Sequence, residues 1–213
     1  MKPEDFPSDI QPYLLPGPDG RLIYRCLGCE HEYGIEQLLY TCPDCGNVLL
    51  LYDPDFERLK KISGAMWRRI FDYRRMLNRP ALNGIYRYHE LIGPIMPLDS
   101  VVWLGEGHTP VVEANDHLQA MADARFFFKN DGQNPSASFK DRGMASALSY
   151  IQYMVRHGYV SDVLAVCAST GDTSAAAALY AAYLQPEVKS AVLLPHKQVT
   201  PQQLSQPLGS GAM

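Results

Sequence analysis

No stretch of this sequence is long and apolar enough for a bilayer span. The most apolar extended run, Ala175 to Leu184, is alanine-rich and falls far short of the ~20 residues that hydrocarbon requires. The amino-terminal MKPEDFPSDIQP has acidic and proline residues but no apolar core, so no secretory signal is predicted and a cytoplasmic location is expected. An excess of positive charge is also missing: 19 basic residues face 23 acidic ones, for a formal charge of -4. That balance gives no general electrostatic drive toward nucleic acid or an anionic membrane. Neither the Walker spacing nor GxGxxG occurs at the small polar loop ASTGDTS, residues 168–174, so neither nucleotide motif is claimed.

Cysteine is scarce, yet four of the five residues are paired. Cys26 and Cys29 form CLGC, Cys42 and Cys45 form CPDC, and twelve residues separate the pairs. A CxxC knuckle aims two sulfurs at one point, and two knuckles complete a tetrahedral thiolate shell. With no open coordination position, such a metal is expected to be structural. Tyr24 and Tyr40 each precede a knuckle by two residues, a spacing that predicts two short hairpins of a zinc ribbon. Two disulfides or unligated thiols are the alternatives, and His31 is read as a surface residue. Zinc ribbons also serve nucleic-acid proteins, for which WRRIFDYRRM, residues 67–76, could be enlisted. Trp67, Ile70, Phe71 and Arg74 at helical spacing make a packing face the better reading.

A second concentration of chemistry lies at residues 134–143, NPSASFKDRG. Ser138 followed three residues later by Asp141 is a capping-box pattern, and Met144, Ala147, Leu148, Ile151, Met154 and Val155 continue as a stripe stepping by three and four. Lys140 falls in the first turn and on that stripe. The positive end of the helix dipole and apolar surface both disfavour an ammonium there, so a neutral, nucleophilic amine is expected. Its use would be attack on a cofactor aldehyde. A lysine that snorkels to water or binds a phosphate is the plainer reading.

Around this segment the pattern alternates. Residues 53–78 are predicted to be largely helical, and 79–97, with repeated proline and glycine, to be an extended connector. WLGEGHTPVVEA, residues 103–114, predicts a glycine-loosened loop and a short strand at 111–113, with Thr109 near a site. VLAVC, residues 163–167, predicts a buried strand of a mainly parallel sheet, with Cys167 in the core. Ser169 to Ser174 then lead into an alanine-rich helix, bringing hydroxyls and free backbone amides to one spot, a general anion site. Side-chain capping by Asp172 or Thr173 accounts for the same residues. A strand at 188–194 completes an α/β layer.

KNDGQNPSASFKDRG, residues 129–143, resembles the pyridoxal-phosphate lysine segment of the threonine synthase family, whose wording is GxNPTGSFKDRG. Ser136 and Ala137 replace Thr and Gly, which are mild changes. LGEGHTP resembles the family's LGEGxTPL, with His108 where asparagine is frequent, and RCLGCEHEYG with YTCPDCGNVLLLYD resembles the cysteine-paired start of many members. The resemblance runs from about residue 20 to 212. It implies a fold type II α/β enzyme with pyridoxal 5'-phosphate on Lys140, Asp172 close to the cofactor ring, and Ser169, Thr170, Gly171 and Thr173 around the substrate carboxylate. Structural zinc would sit on Cys26, Cys29, Cys42 and Cys45. The implied reaction converts O-phosphohomoserine and water to threonine and phosphate, with Lys140 moving protons.

The expected organisation is an arm and zinc-ribbon-like module at 1–54, a helical connector at 55–98 and a partial α/β domain at 99–213. Family members continue for a comparable length, supplying a glycine-rich phosphate loop and a partner for the pyridine nitrogen, so a truncated chain is expected. A homo-oligomer or a separate second half would then complete it. The alternatives are a threonine or serine dehydratase or another β-replacement enzyme, a noncatalytic fragment or subunit, and a zinc-ribbon nucleic-acid binder.

Overall fold

Alternation sets the first strand. In Ile23–Cys26 (β1), Tyr24 and Cys26 turn inward at 8% and 2% exposure while Ile23 and Arg25 remain partly open. β1 pairs antiparallel with Glu32–Gly34 (β2) on one side and Leu49–Tyr52 (β3) on the other, Tyr24 standing opposite Tyr33 and Leu51. The first knuckle is therefore a hairpin, as expected. The second is held by Cys42 N–H to the Asn47 carbonyl and Gly46 N–H to the Cys42 carbonyl, and it feeds β3 without a strand of its own. Tyr40 is exposed beside it. The structure is a computed structural model, which describes residues 1–195 and 199–213.

The chain divides into two units, one of residues 1–101 with 149–161, the other of 102–148 with 162–213. In the first unit, Gln11–Leu14 (α1) and Gly64–Arg74 (α2) contribute to a core of Phe6, Ile10, Leu14, Ile70, Leu77 and Leu82. Ser63 caps α2, its Oγ accepting from Met66 N–H. Trp67 and Phe71 pack partly buried against this core, as the helical spacing predicts.

Arg74 is wholly buried. It is anchored by the Glu90 carboxylate and by the carbonyls of Tyr13, Leu14 and Arg87. Every guanidinium nitrogen thus finds an acceptor, which makes the burial of the charge tolerable. Residues 79–97 are not an extended connector. Single 3-10 turns at Pro80–Leu82 and Ile85–Tyr88 run into His89–Ile92 (α3); Pro80, with its fixed φ, starts the first where its missing N–H is not needed.

In the second unit Val111–Glu113 (β4), Asp116–Ala122 (α4) and Phe127–Lys129 (β5) form a small antiparallel hairpin interrupted by a helix. Helix Lys140–Arg156 (α5) gives its first half to this unit. Val163–Ala168 (β6), Asp172–Tyr183 (α6), Val188–Leu193 (β7) and Pro201–Gly209 (α7) follow in an alternating α/β order, with β6 and β7 parallel. Ala175, Ala176, Ala178, Tyr180 and Ala181 bury one broad face of α6.

β6 is not a buried strand. Its residues alternate between half-buried and exposed, with Leu164 and Val166 more than half exposed. The two-stranded pair leaves these side chains without cover among the described residues. Cys167 is likewise half-buried rather than core. Among the described residues no helix is long and apolar enough to cross a membrane.

Candidate functional site

Asn134 and Asp131 bring two sequence motifs together. The loop Leu104–Pro110 turns on Gly105 and Gly107, at φ of +110° and +87°, and on His108 at +54°. A left-handed backbone is the conformation that Asn, Asp and His tolerate best among residues with a Cβ, and this accounts for histidine at position 108. Gly107 N–H donates to Asn134 Oδ1 at 3.1 Å, and Asn134 Nδ2 donates to the Asp131 carbonyl at 2.9 Å. Thr109 Oγ1 donates to Asp131 Oδ1 at 2.7 Å. Arg142, in the first turn of α5, donates through Nη1 and Nη2 to the two oxygens of Asp131, each at 2.8 Å, and through Nη2 to Thr109 Oγ1 at 3.2 Å. The Arg142 fork and the Thr109 hydroxyl hold the Asp131 carboxyl well below the usual carboxylate range. Thr109 is thus a latch that joins the loop to the helix start.

Lys140 is the first residue of α5 and is half-buried, its Nζ lying 4.5 Å from the centroid of the exposed Phe139 ring. Ser138 lies two residues before the helix, and its Oγ accepts from Lys140 N–H at 3.2 Å. The reciprocal half of the expected capping box is displaced by two residues. Asp141 Oδ2 accepts from Ser136 N–H at 2.8 Å. Ala137 lies between them in the left-handed region, at φ +59°.

The helix buries Asp141, Ala145, Leu148, Ser149 and Met154. The seam therefore begins one position beyond Lys140, while Ala147 is exposed. Leu148 and Met154 lie on it as expected, whereas Asp141, Ala145 and Ser149 are small or polar residues that a search for apolar periodicity does not register.

Two buried polar residues that the sequence reading did not single out, Glu106 and Tyr180, belong to this region. Glu106 is 1% exposed and accepts from Tyr180 Oη at 3.2 Å and from Leu104 N–H at 3.4 Å. Tyr180 is fully buried, and burial, reinforced by the Glu106 and Asp141 charges, pushes its phenol well above the usual range. Asp141 Oδ1 and Ser136 Oγ are buried without hydrogen-bond partners. The signal that could have found Glu106 was a lone carboxylate between two glycines, where burial against a tyrosine is possible because the backbone can approach closely.

Ser169, Thr170 and Gly171 connect β6 to α6, with Asp172 and Thr173 in its first turn. Gly171 is the N-cap, and no side chain caps the helix. Capping by Asp172 or Thr173 is therefore not what holds this loop. Gly171 N–H donates to Ser169 Oγ at 3.2 Å, and Ser174 Oγ donates back to the Gly171 carbonyl at 2.7 Å. The open first turn of α6 offers backbone N–H groups and the positive end of the helix dipole to an anion. Tyr180 lies eight residues farther along α6, which corresponds to ~12 Å of helix. The hydrogen bonds thus join the loop at 104–110 to the Lys140 segment, whereas residues 169–173 stand at the far end of the helix that carries Tyr180.

The four paired cysteines converge in the first unit. Their Sγ atoms all lie within 4.8 Å of one another. Cys26 and Cys45 are 3.4 Å apart and Cys29 and Cys42 3.6 Å apart. These separations are non-bonded, so neither pair is a disulfide. They approach the roughly 3.8 Å edge expected of a tetrahedron of thiolates at ~2.3 Å from a zinc ion, so the donor set fits a metal.

Sulfur receives further donors: Gly28 N–H and Cys29 N–H point to Cys26, and Tyr33 Oη lies 3.0 Å from Cys42. Burial opposes ionisation of Cys42, but donation from Tyr33 and from the Cys45 and Asp44 backbones outweighs it and brings the thiol down to about 6. His31 pairs with Asp44 outside the cluster.

The family model for pyridoxal-phosphate dependent enzymes matches residues 102–212. A threonine synthase from Methanocaldococcus jannaschii is 33% identical over 193 residues, 90% of this chain and 42% of that protein. Chloroplastic threonine synthase 2 of Arabidopsis thaliana is 33% identical over 187 residues, 85% of this chain and 34% of that protein. A crystal structure of O-ureido-L-serine synthase aligns with a TM-score of 0.41 at 19% identity, over 50% of this chain and 31% of that one. The chain thus spans between about a third and two-fifths of the length of the curated relatives it matches. With the family model covering just over half of its residues, the chain belongs to the pyridoxal-phosphate-dependent enzymes.

Proposed function

We propose that this chain carries the lysine-bearing portion of a threonine-synthase-like site, acting on O-phosphohomoserine and water to give threonine and phosphate. The observation that carries the reading is the latch of Thr109, Asp131, Asn134 and Arg142, which ties the LGEGHTP loop to the start of α5 where Lys140 stands. It favours this family over a threonine or serine dehydratase because LGEGHTP and the cysteine module occur on one chain with the lysine segment.

The local residues fit the cofactor. A half-buried primary amine stands on the first residue of a helix, and Ser136 Oγ and Asp141 Oδ1, four residues before it and one after it in the chain, are buried polar atoms without partners. The cofactor, when bound, supplies an electron sink for carbanion chemistry.

Lys140 would hold it through Nζ and would take and return protons at that nitrogen. Free backbone amides where the loop 169–173 enters α6 would hold the substrate carboxylate, and Asp172 would lie near the cofactor. The latch fixes the direction in which α5 presents its first turn, a positioning role. Zinc on Cys26, Cys29, Cys42 and Cys45 is structural in this reading, since four thiolates leave no position for substrate.

The test is phosphate release from O-phosphohomoserine with pyridoxal phosphate present, for the wild-type chain and for Lys140→Ala. Lysine-dependent release with threonine as product supports the reading. Release of 2-oxobutanoate from threonine instead would transfer it to a dehydratase.

A further inference from the structure

The first unit contains a cleft of about 250 Å³ away from the cysteine cluster, lined by Leu59, Ile62, Trp67, Asp19, Arg58 and His89 among others. This is below the roughly 300–1,000 Å³ of sites for drug-sized ligands, so its occupant is small. Its walls are apolar on the side of Leu59, Ile62 and Trp67, and Trp67 is fixed there by donating Nε1–H to the Leu59 carbonyl at 3.0 Å.

The polar groups of the cleft are unequally satisfied. Glu90 is engaged by buried Arg74, and Arg58 Nη1 is engaged by Asp53 at 2.6 Å. Those two pairs are neutral overall. His89 is different.

Its side chain is fully buried, and Nε2 lies 2.6 Å from the Met96 carbonyl. A carbonyl accepts only, so Nε2 carries the proton and Nδ1 is a bare acceptor. Nδ1 is buried without a partner. Burial, the largest influence, holds the imidazole below its usual pKa; the Met96 hydrogen bond, Glu90 and, least, Asp19 oppose it, and Arg74 acts in the same direction as burial.

Asp19 supplies the second acceptor. Its carboxylate folds back over Gly17, coming within 2.6 Å of the place a Cβ would occupy there, and its charge is felt at His89. The cleft therefore holds one buried acceptor without a partner, His89 Nδ1, and at its exposed edge the Asp19 carboxylate, which has no ion-pair partner among the described residues, beside an aromatic and aliphatic wall. What satisfies two acceptors and one negative charge is a donor with positive charge.

We propose that this cleft binds a small ligand consisting of a protonated primary amine on an apolar body, with the ammonium between Asp19 and His89 Nδ1 and the apolar part against Leu59, Ile62 and Trp67. Two sources share that chemistry: a free apolar amino acid and a simple alkyl or arylalkyl amine. They differ in a carboxylate, which would meet Arg58, whose second terminal nitrogen lies 2.8 Å from the position a Cβ would take on Gly20 at the cleft edge.

The experiment is calorimetric titration of the purified chain with leucine, phenylalanine, 3-methylbutylamine, 2-phenylethylamine and N-acetylleucine. Wild type, Asp19→Asn and Arg58→Gln are compared, each checked for native circular dichroism. Asp19 is exposed, so its amide variant is expected to fold. Saturable binding of the free amines, none of N-acetylleucine, and a loss of about tenfold or more in Asp19→Asn is the expected result.

A further weakening of the amino acids alone in Arg58→Gln identifies an amino acid as the occupant, while equal affinity in that variant identifies the amine. No binding by any free amine, equal binding of N-acetylleucine, or unchanged affinity in Asp19→Asn overturns the proposal. Tryptophan fluorescence in a Trp103→Phe background reads the same site through Trp67, and a ligand that binds without perturbing it also contradicts the assignment.

Discussion

Arg142 grips Asp131 as a two-pronged fork, Nη1 to Oδ2 and Nη2 to Oδ1, with Thr109 Oγ1 closing the third side. Both partners are about a quarter to a third exposed, so solvent screening limits the pair, and Asp131→Asn is expected to lower stability modestly near neutral pH. The sign with pH follows from the depressed carboxyl. The contribution is fully present above the unfolded aspartate pKa, ~4, and is lost as pH falls from there toward the lower folded value. Urea unfolding of wild type and Asp131→Asn should give a gap that is constant from neutrality to about pH 5 and narrows below ~4. A gap that widens on acidification would contradict the pairing.

Ala137 holds a left-handed backbone in the turn before α5, at φ +59°. Replacing it with glycine removes a Cβ that this conformation disfavours, and Ala137→Gly should raise stability by about 1 kcal/mol despite the greater freedom of the unfolded chain. Ala137→Val should lower it. Thermal midpoints of the two variants check the pair of signs.

Tyr180 donates to Glu106 in a site with no exposed surface on the tyrosine. Tyr180→Phe keeps the ring but removes one donor from Glu106 Oε2, which retains the Leu104 N–H, at an expected cost of about 1 kcal/mol. Chemical denaturation measures it. An unchanged midpoint would mean that the carboxylate is satisfied by its other contacts.

What the sequence disclosed and what it concealed divide along physical lines. The cysteine spacing and the strands expected at 111–113 and 188–194 depend on short-range geometry, and the structure has them, the second over 188–193. The turns of residues 79–97 were hidden because proline and glycine mark breaks without saying whether a helical turn fits between them. Ala137 resembled a mild replacement because letters carry no φ. Arg74 was legible as part of a packing face, but not as a buried ion, since its partner Glu90 and its three carbonyl acceptors come from distant segments. The latch stayed invisible for the same reason: Thr109, Asp131 and Arg142 are separated in sequence and meet only in the fold.

Cys42→Ser removes one of four sulfurs that lie within 4.8 Å of one another. The purified wild-type chain is expected to carry one zinc per chain and the variant to lose it, with a lower thermal midpoint. Covalent capture of the cofactor at Lys140 should persist in that variant, because the cysteine cluster and Lys140 belong to different units. Metal analysis by mass spectrometry, run beside cofactor capture, separates the two roles.

The central claim is that Lys140 is the residue that holds pyridoxal phosphate, and borohydride reduction followed by peptide mapping tests it most directly. Wild-type chain mixed with pyridoxal phosphate should yield one reduced adduct on the peptide containing Lys140, absent in Lys140→Ala. An adduct scattered over surface lysines, or one that survives in Lys140→Ala, would contradict the account.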